Sequence, residues 1–95
     1  MAKLGDTLTH TETVEGQDVK FRIQHIGVRE TLKLIKRTDK DIEKMINEVI
    51  SHVALFEDGT RITWDYFEEI ENGLEVAANL TKAAISFLTG KSEDE

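Results

Sequence analysis

Thr7-Leu8-Thr9-His10-Thr11-Glu12-Thr13-Val14 places threonine at every odd position, and Val19-Lys20-Phe21-Arg22-Ile23-Gln24-His25-Ile26 alternates until its last residue. Period two with β-branched residues is the pattern of a half-buried strand. Between the two runs lies Glu15-Gly16-Gln17-Asp18, where Gly16 can supply the positive φ of a tight hairpin turn. With Gly16-Gln17 as the loop, Val14 faces Val19, Glu12 faces Phe21, His10 faces Ile23 and Leu8 faces His25. That register gathers Leu8, Val14, Val19, Phe21 and Ile23 on one side and leaves the threonines with Lys20 and Arg22 on the other. A lone hairpin is marginal in water, so its apolar side must cover the helices that follow. The expected fold is α+β and mostly helical, with an N-terminal β-hairpin packed on three to four helices.

Working outward, Gly27 ends the second strand, and Val28 to Arg37 reads as a short helix with Val28, Leu32 and Ile35 on one stripe. Thr38 with Asp41 approximates a capping box for the next helix. In that helix Ile42, Met45, Ile46, Val49, Ile50 and Val53 recur at three- and four-residue spacing, with Lys40, Glu43, Lys44, Asn47 and Glu48 opposite. Glu57-Asp58-Gly59-Thr60 is a turn, and its flanks read either as a short hairpin or as an extended connection. Thr63 caps a helix with Trp64, Phe67 and Ile70 on its apolar stripe. Asn72-Gly73 reads as a C-cap, after which Leu74 to Thr89 continues in helical phase, with Gly73 either breaking or bending the helix. The chain reads as one domain, residues 1–95, with 1–6 and 90–95 as flexible tails.

Composition narrows the function classes. The chain of 95 residues carries a net charge of −7 and no cysteine, which excludes disulfides and thiolate metal sites. Up to Arg37 there are seven Lys/Arg against five Asp/Glu; from Thr38 onward there are five against fourteen. Wrapping a phosphate backbone needs a concentrated basic surface, so direct nucleic-acid binding is disfavoured. No apolar run approaches a membrane span, and Met1 to Asp6 lacks the hydrophobic stretch of a signal peptide. A cytoplasmic protein is expected.

A catalytic constellation is missing from the sequence. It holds no Gly-rich phosphate loop, no nucleophile elbow and no Cys/His arrangement. His10, His25 and Glu12 come near one another in the hairpin register above, but that diagonal spacing is long for joint ligation. They read as strand residues at the margin of the core, and His52 reads as a residue at a helix C-terminus. Neither a metal nor a cofactor is expected. The acidic run Glu57, Asp58, Asp65, Glu68, Glu69, Glu71 and Glu75 lacks the ligand alternation of a calcium loop and reads as a solvated face.

Surfaces remain. Trp64 and Phe67 share a helical face and read as core, whereas Tyr66 points elsewhere and is the better contact residue. The last helix is apolar on more than one side and so needs more than one partner. With Leu80 and Ala84 toward the core, Val76, Ala83 and Phe87 turn progressively away. Tyr66, Val76, Ala83 and Phe87 are therefore the candidate protein-binding residues, for a client helix or for self-association.

The order of these pieces carries a resemblance. Val19-Lys20-Phe21-Arg22-Ile23 leads into Gly27-Val28-Arg29-Glu30-Thr31-Leu32, a helical middle follows, then Asp58-Gly59-Thr60-Arg61-Ile62-Thr63-Trp64 and an apolar last helix. Over roughly Val19 to Leu88 this layout resembles the small tail assembly chaperones of long-tailed bacteriophages. The resemblance implies a non-enzymatic protein that binds a long helical tape measure protein and keeps it soluble in the host cytoplasm during tail assembly. A different class also fits the acidic half, Asp39 to Glu75: a small inhibitor that binds a nucleic-acid enzyme by imitating phosphate charge.

Overall fold

The hairpin forms by turning one step earlier than its loop spacing suggests. In the computed structural model, which describes residues 2–90, β1 (Thr7–Val14) pairs antiparallel with β2 (Gln17–Gln24), so that Val14 faces Gln17, Glu12 faces Val19, His10 faces Phe21 and Leu8 faces Ile23. The loop is Glu15-Gly16, with φ of 50° and 83°, the pair of positive values that a type I′ turn requires. The expected register, built on Gly16-Gln17, is therefore two residues out. A slip of two preserves which side each residue faces. Phe21 and Ile23 are accordingly fully buried and Val14 nearly so, while Leu8 stays half in water at the strand end.

A third strand, β3 (Ala54–Phe56), adds to the free side of β2, so that the sheet runs β1-β2-β3. Its outgoing chain turns at Glu57–Thr60 and comes back to bridge Leu55 with Arg61, which makes this segment a minimal hairpin. Asp58 shapes the turn by accepting from both the amide and the hydroxyl of Thr60, at 2.9 and 2.7 Å. Those two bonds hold its carboxyl below the ordinary carboxylate range.

The helices cover one face of this sheet: α1 (Val28–Thr38), α2 (Ile42–Glu48), α3 (Trp64–Glu69) and α4 (Gly73–Thr89). The fold is thus the expected α+β architecture of a hairpin sheet on helices. Between α2 and β3, Val49–Val53 form a single wider π turn closed by Ala54 N–H onto the Val49 carbonyl. Ile46, Val49, Ile50 and Val53 all reach the core as their spacing predicted, but Ile42 at the helix start is exposed. The cap of α2 is Asp41, which accepts from the Lys44 amide at 3.1 Å. Thr38, expected in that role, is instead buried at the end of α1.

Gly73 opens α4 rather than ending α3. A Cβ there would lie 1.8 Å from the Phe67 carbonyl oxygen, so only glycine lets the two helices meet this closely. Asn72 caps α4 with its backbone and donates its side-chain amide to the Thr13 carbonyl of β1 at 3.1 Å. From there Val76, Leu80, Ala84 and Leu88 run down the inner face of α4 into the single core cluster. Gly5 and Asp6, expected in a flexible tail, instead exchange backbone bonds with His25 and prolong the β1–β2 ladder. The 91–95 tail lies outside the described residues.

Candidate functional site

Helix α1 is rotated by about a quarter turn from the orientation its hydrophobic pattern predicts. Val28, Leu32 and Ile35 are 74, 62 and 40% exposed, whereas Leu34 and Thr38 are fully buried and Thr31 nearly so. Threonine can take the inner positions because its methyl group is apolar and its hydroxyl can be satisfied within its own helix. Thr31 donates to the Gly27 carbonyl at 2.7 Å and Thr38 to the Ile35 carbonyl at 3.1 Å. With both hydroxyls bonded, burying them leaves no unmet donor, and the aliphatic stripe is free to face outward.

The stripe does not stand alone. A groove of about 310 Å³ runs along it, walled on the far side by Leu88 and Thr89 of α4. A second depression of about 550 Å³ continues past Val28 to Leu4, Ile26 and His25. The two share Val28, Leu88 and Thr89, and Leu4 beside them is 71% exposed. One apolar strip thus passes from the N-terminal segment along α1. The other edge of the stripe is basic. Helix α1 carries Arg29, Lys33, Lys36 and Arg37 against a single carboxylate, Glu30, in a chain whose net charge is −7.

The residues singled out in the sequence are dispersed. Val76 is fully buried, in line with Leu80 and Ala84, and so faces the core and no partner. Tyr66 is half-buried in an aromatic cluster, 4.9 Å from the Phe56 ring, 5.7 Å from Phe67 and 6.4 Å from Phe21. Burial first, and the Glu15 carboxylate second, push its hydroxyl above the ordinary 10.0. Phe87 is half-buried against the core, edge-on to the His25 ring at 5.6 Å, and Ala83 is half-buried as well. Phe21 lies within β2 and His25 just past its end, so Tyr66 and Phe87 meet the hairpin at different points.

Trp64, expected in the core, lies at the surface with 38% exposure and donates its indole N–H to Asn47 at 3.1 Å. It walls a shallow cleft with Arg37, Lys44 and Glu48, in which Arg37 and Glu48 pair at 2.6 Å. Asn47 and the Arg37–Glu48 pair are thus engaged within the chain, and Glu43 and Lys44 complete the lining.

No family model, curated protein or solved structure matches this chain.

The polar cluster on the hairpin has a structural job. His10 Nε2 lies 2.6 Å from one Glu12 oxygen, and Asn79 of α4 donates to the other at 3.2 Å, which fastens β1 to α4. His25 is four residues further along, across from Asp6, and its Nδ1 accepts the Gly27 amide at 3.0 Å. Among the described residues no three His, Asp or Glu side chains gather to hold a metal ion. No helix among them is long and apolar enough to cross a membrane. The outward stripe with its basic edge is a feature of this surface that packing among the described residues does not account for.

Proposed function

We propose that the protein works by binding another protein, which docks on the outward stripe of α1 and the groove beside it. The observation that carries this reading is the rotation of α1 away from its hydrophobic stripe: three large aliphatic side chains stay largely in water while two threonines occupy the core. Withdrawing what remains exposed of Val28, Leu32 and Ile35 would contribute roughly 4 kcal/mol of hydrophobic free energy. That is a useful share of a micromolar affinity, about 8 kcal/mol. An exposed apolar strip rimmed by charge is the usual form of an interaction site.

The occupant is an apolar helical client, and the protein a small assembly chaperone of the phage-tail kind, holding a tape measure protein soluble in the host cytoplasm. Its layout, its acidity and a helix-in-groove surface of two turns all suit that role. The test is co-purification from the native host with the wild-type chain, Leu32→Ser and Phe87→Ser. A long helical client retained by the wild type and by Phe87→Ser, and lost by Leu32→Ser, is the expected result. The same client captured equally by all three would place the docking surface elsewhere, and capture of none would remove the chaperone reading.

A further inference from the structure

We propose that the α1 stripe selects an acidic amphipathic helix, one whose apolar face is bordered by carboxylates. This deepens the docking reading above and rests on it. At about 100° per residue, Arg29 and Lys36 both project to the same flank of the Val28-Leu32-Ile35 line, one beside Val28 and the other beside Ile35. They are seven residues apart, roughly 10 Å along the axis, which matches two carboxylates at i and i+7 on a partner helix.

The other cations of α1 are engaged already. Lys33 pairs with Glu30 at 3.3 Å and Arg37 with Glu48 at 2.6 Å, whereas Arg29 and Lys36 make no ion pair among the described residues. Glu30 lies across α1 from Leu32 and Ile35; it lines the N-terminal depression with Arg29 and is paired to Lys33. The opposite wall of the groove, Leu88 with Thr89, carries no charge. A helix laid on the stripe therefore meets aliphatic side chains beneath it and two uncommitted cations along one edge.

The same geometry disfavours a second copy as the occupant. A two-fold pairing of α1 on α1 would bring Arg29 and Lys36 of each copy against those of the other, and like charges across an interface oppose association. It also disfavours a basic helix. Such a helix would be drawn by the overall charge of −7, but exposed charges beyond a Debye length of about 10 Å are screened. At contact the Arg29–Lys36 edge decides.

The test uses a displayed library of helical peptides with leucine at i, i+4 and i+7 and Glu, Gln or Lys randomised at the flanking positions. It is selected on the immobilised full chain and, in parallel, on Leu32→Ser. Glu should be enriched on the flank facing Arg29 and Lys36. The best Glu peptide should bind about tenfold more tightly than its Lys counterpart, the size two exposed ion pairs can supply. That preference should shrink as salt is raised and reverse in Arg29→Glu/Lys36→Glu, whose substituted positions are both exposed. If Glu, Gln and Lys peptides are enriched alike yet all fail on Leu32→Ser, docking stands and the charge selection is wrong. Enrichment of Lys overturns it equally. If no peptide prefers the wild type over Leu32→Ser, the docking reading itself falls. A concentration-dependent dimer that Leu32→Ser dissociates would make the occupant a second copy.

Discussion

Leu32 and Leu34 sit two residues apart on α1, and their substitution by alanine tests the orientation of the whole helix. Leu34 is 0% exposed and belongs to the core where α1 meets α2 and α4, while Leu32 is 62% exposed. Truncating a buried leucine costs about 2–5 kcal/mol, transfer and cavity together. A site closed by two neighbouring helices has little room to collapse, so about 3 kcal/mol is expected for Leu34→Ala. Leu32 withdraws only about two fifths of its surface from water, so Leu32→Ala forfeits roughly 1 kcal/mol or less. The slightly better helix propensity of alanine offsets part of that. A domain of this length holds about 5–14 kcal/mol in total, so the first change consumes a large share and the second little. Urea unfolding followed by circular dichroism reads both. With a slope of about 1 kcal/mol per molar, the midpoint should fall by about 3 M for Leu34→Ala and by less than 1 M for Leu32→Ala. Equal shifts, or a larger one for Leu32→Ala, would mean that the aliphatic side of α1 packs inward and that the docking stripe does not exist.

Gly73→Ala should destabilise by roughly 3 kcal/mol or more in the same assay, because its Cβ would meet the Phe67 backbone; a stabilisation, as at an ordinary helix position, would refute the close approach of α3 and α4. Glu15→Asn should raise the unfolding free energy by up to about 1 kcal/mol, since asparagine tolerates the left-handed conformation that Glu15 adopts at φ 50°; a loss would mean the turn is not type I′. Tyr66 is the one tyrosine, so the tyrosinate absorbance titrates it alone. Its folded pKa lies above the unfolded value of 10.0, so its contribution to stability is complete below pH 10.0 and is lost as pH rises through the folded value. The native chain should titrate at higher pH than the chain in denaturant, and Glu15→Gln should narrow the gap; coincident curves would put Tyr66 in open water.

The faces of the hairpin were legible in the sequence and its register was not. Alternation states which side each residue takes, and a two-residue slip leaves that unchanged. The register instead depends on which pair adopts positive φ, and Glu15 competes poorly for that place by composition alone. The inner positions of the central helix and of α4 were legible for a similar reason. Ile46, Val49, Ile50, Leu80 and Ala84 repeat often enough that even a π turn at Val49–Val53 does not dislodge them. The short pieces were less readable. β3 spans only Ala54–Phe56, and it is defined by pairing with β2 rather than by any pattern of its own. Trp64 and Tyr66 exchanged the roles expected of them because α3 is six residues long. On so short a helix the aromatic partners across the sheet, Phe21 and Phe56, choose which ring turns in.

Helix α1 is the place where local pattern and packing disagree. A hydrophobic stripe in sequence reads as core because leucine gains more from burial than threonine does. That comparison assumes the threonine hydroxyl arrives unsatisfied. In α1 both inner threonines bond to carbonyls of the same turn or the one before, so the penalty that would keep them outside is absent. The energetic contest is then between aliphatic side chains on two faces, and Leu34 with two threonine methyls is sufficient to hold the helix down. Once the inner face is settled without them, Val28, Leu32 and Ile35 answer to whatever lies outside the chain. An amphipathic helix held by its weaker face leaves its stronger face exposed.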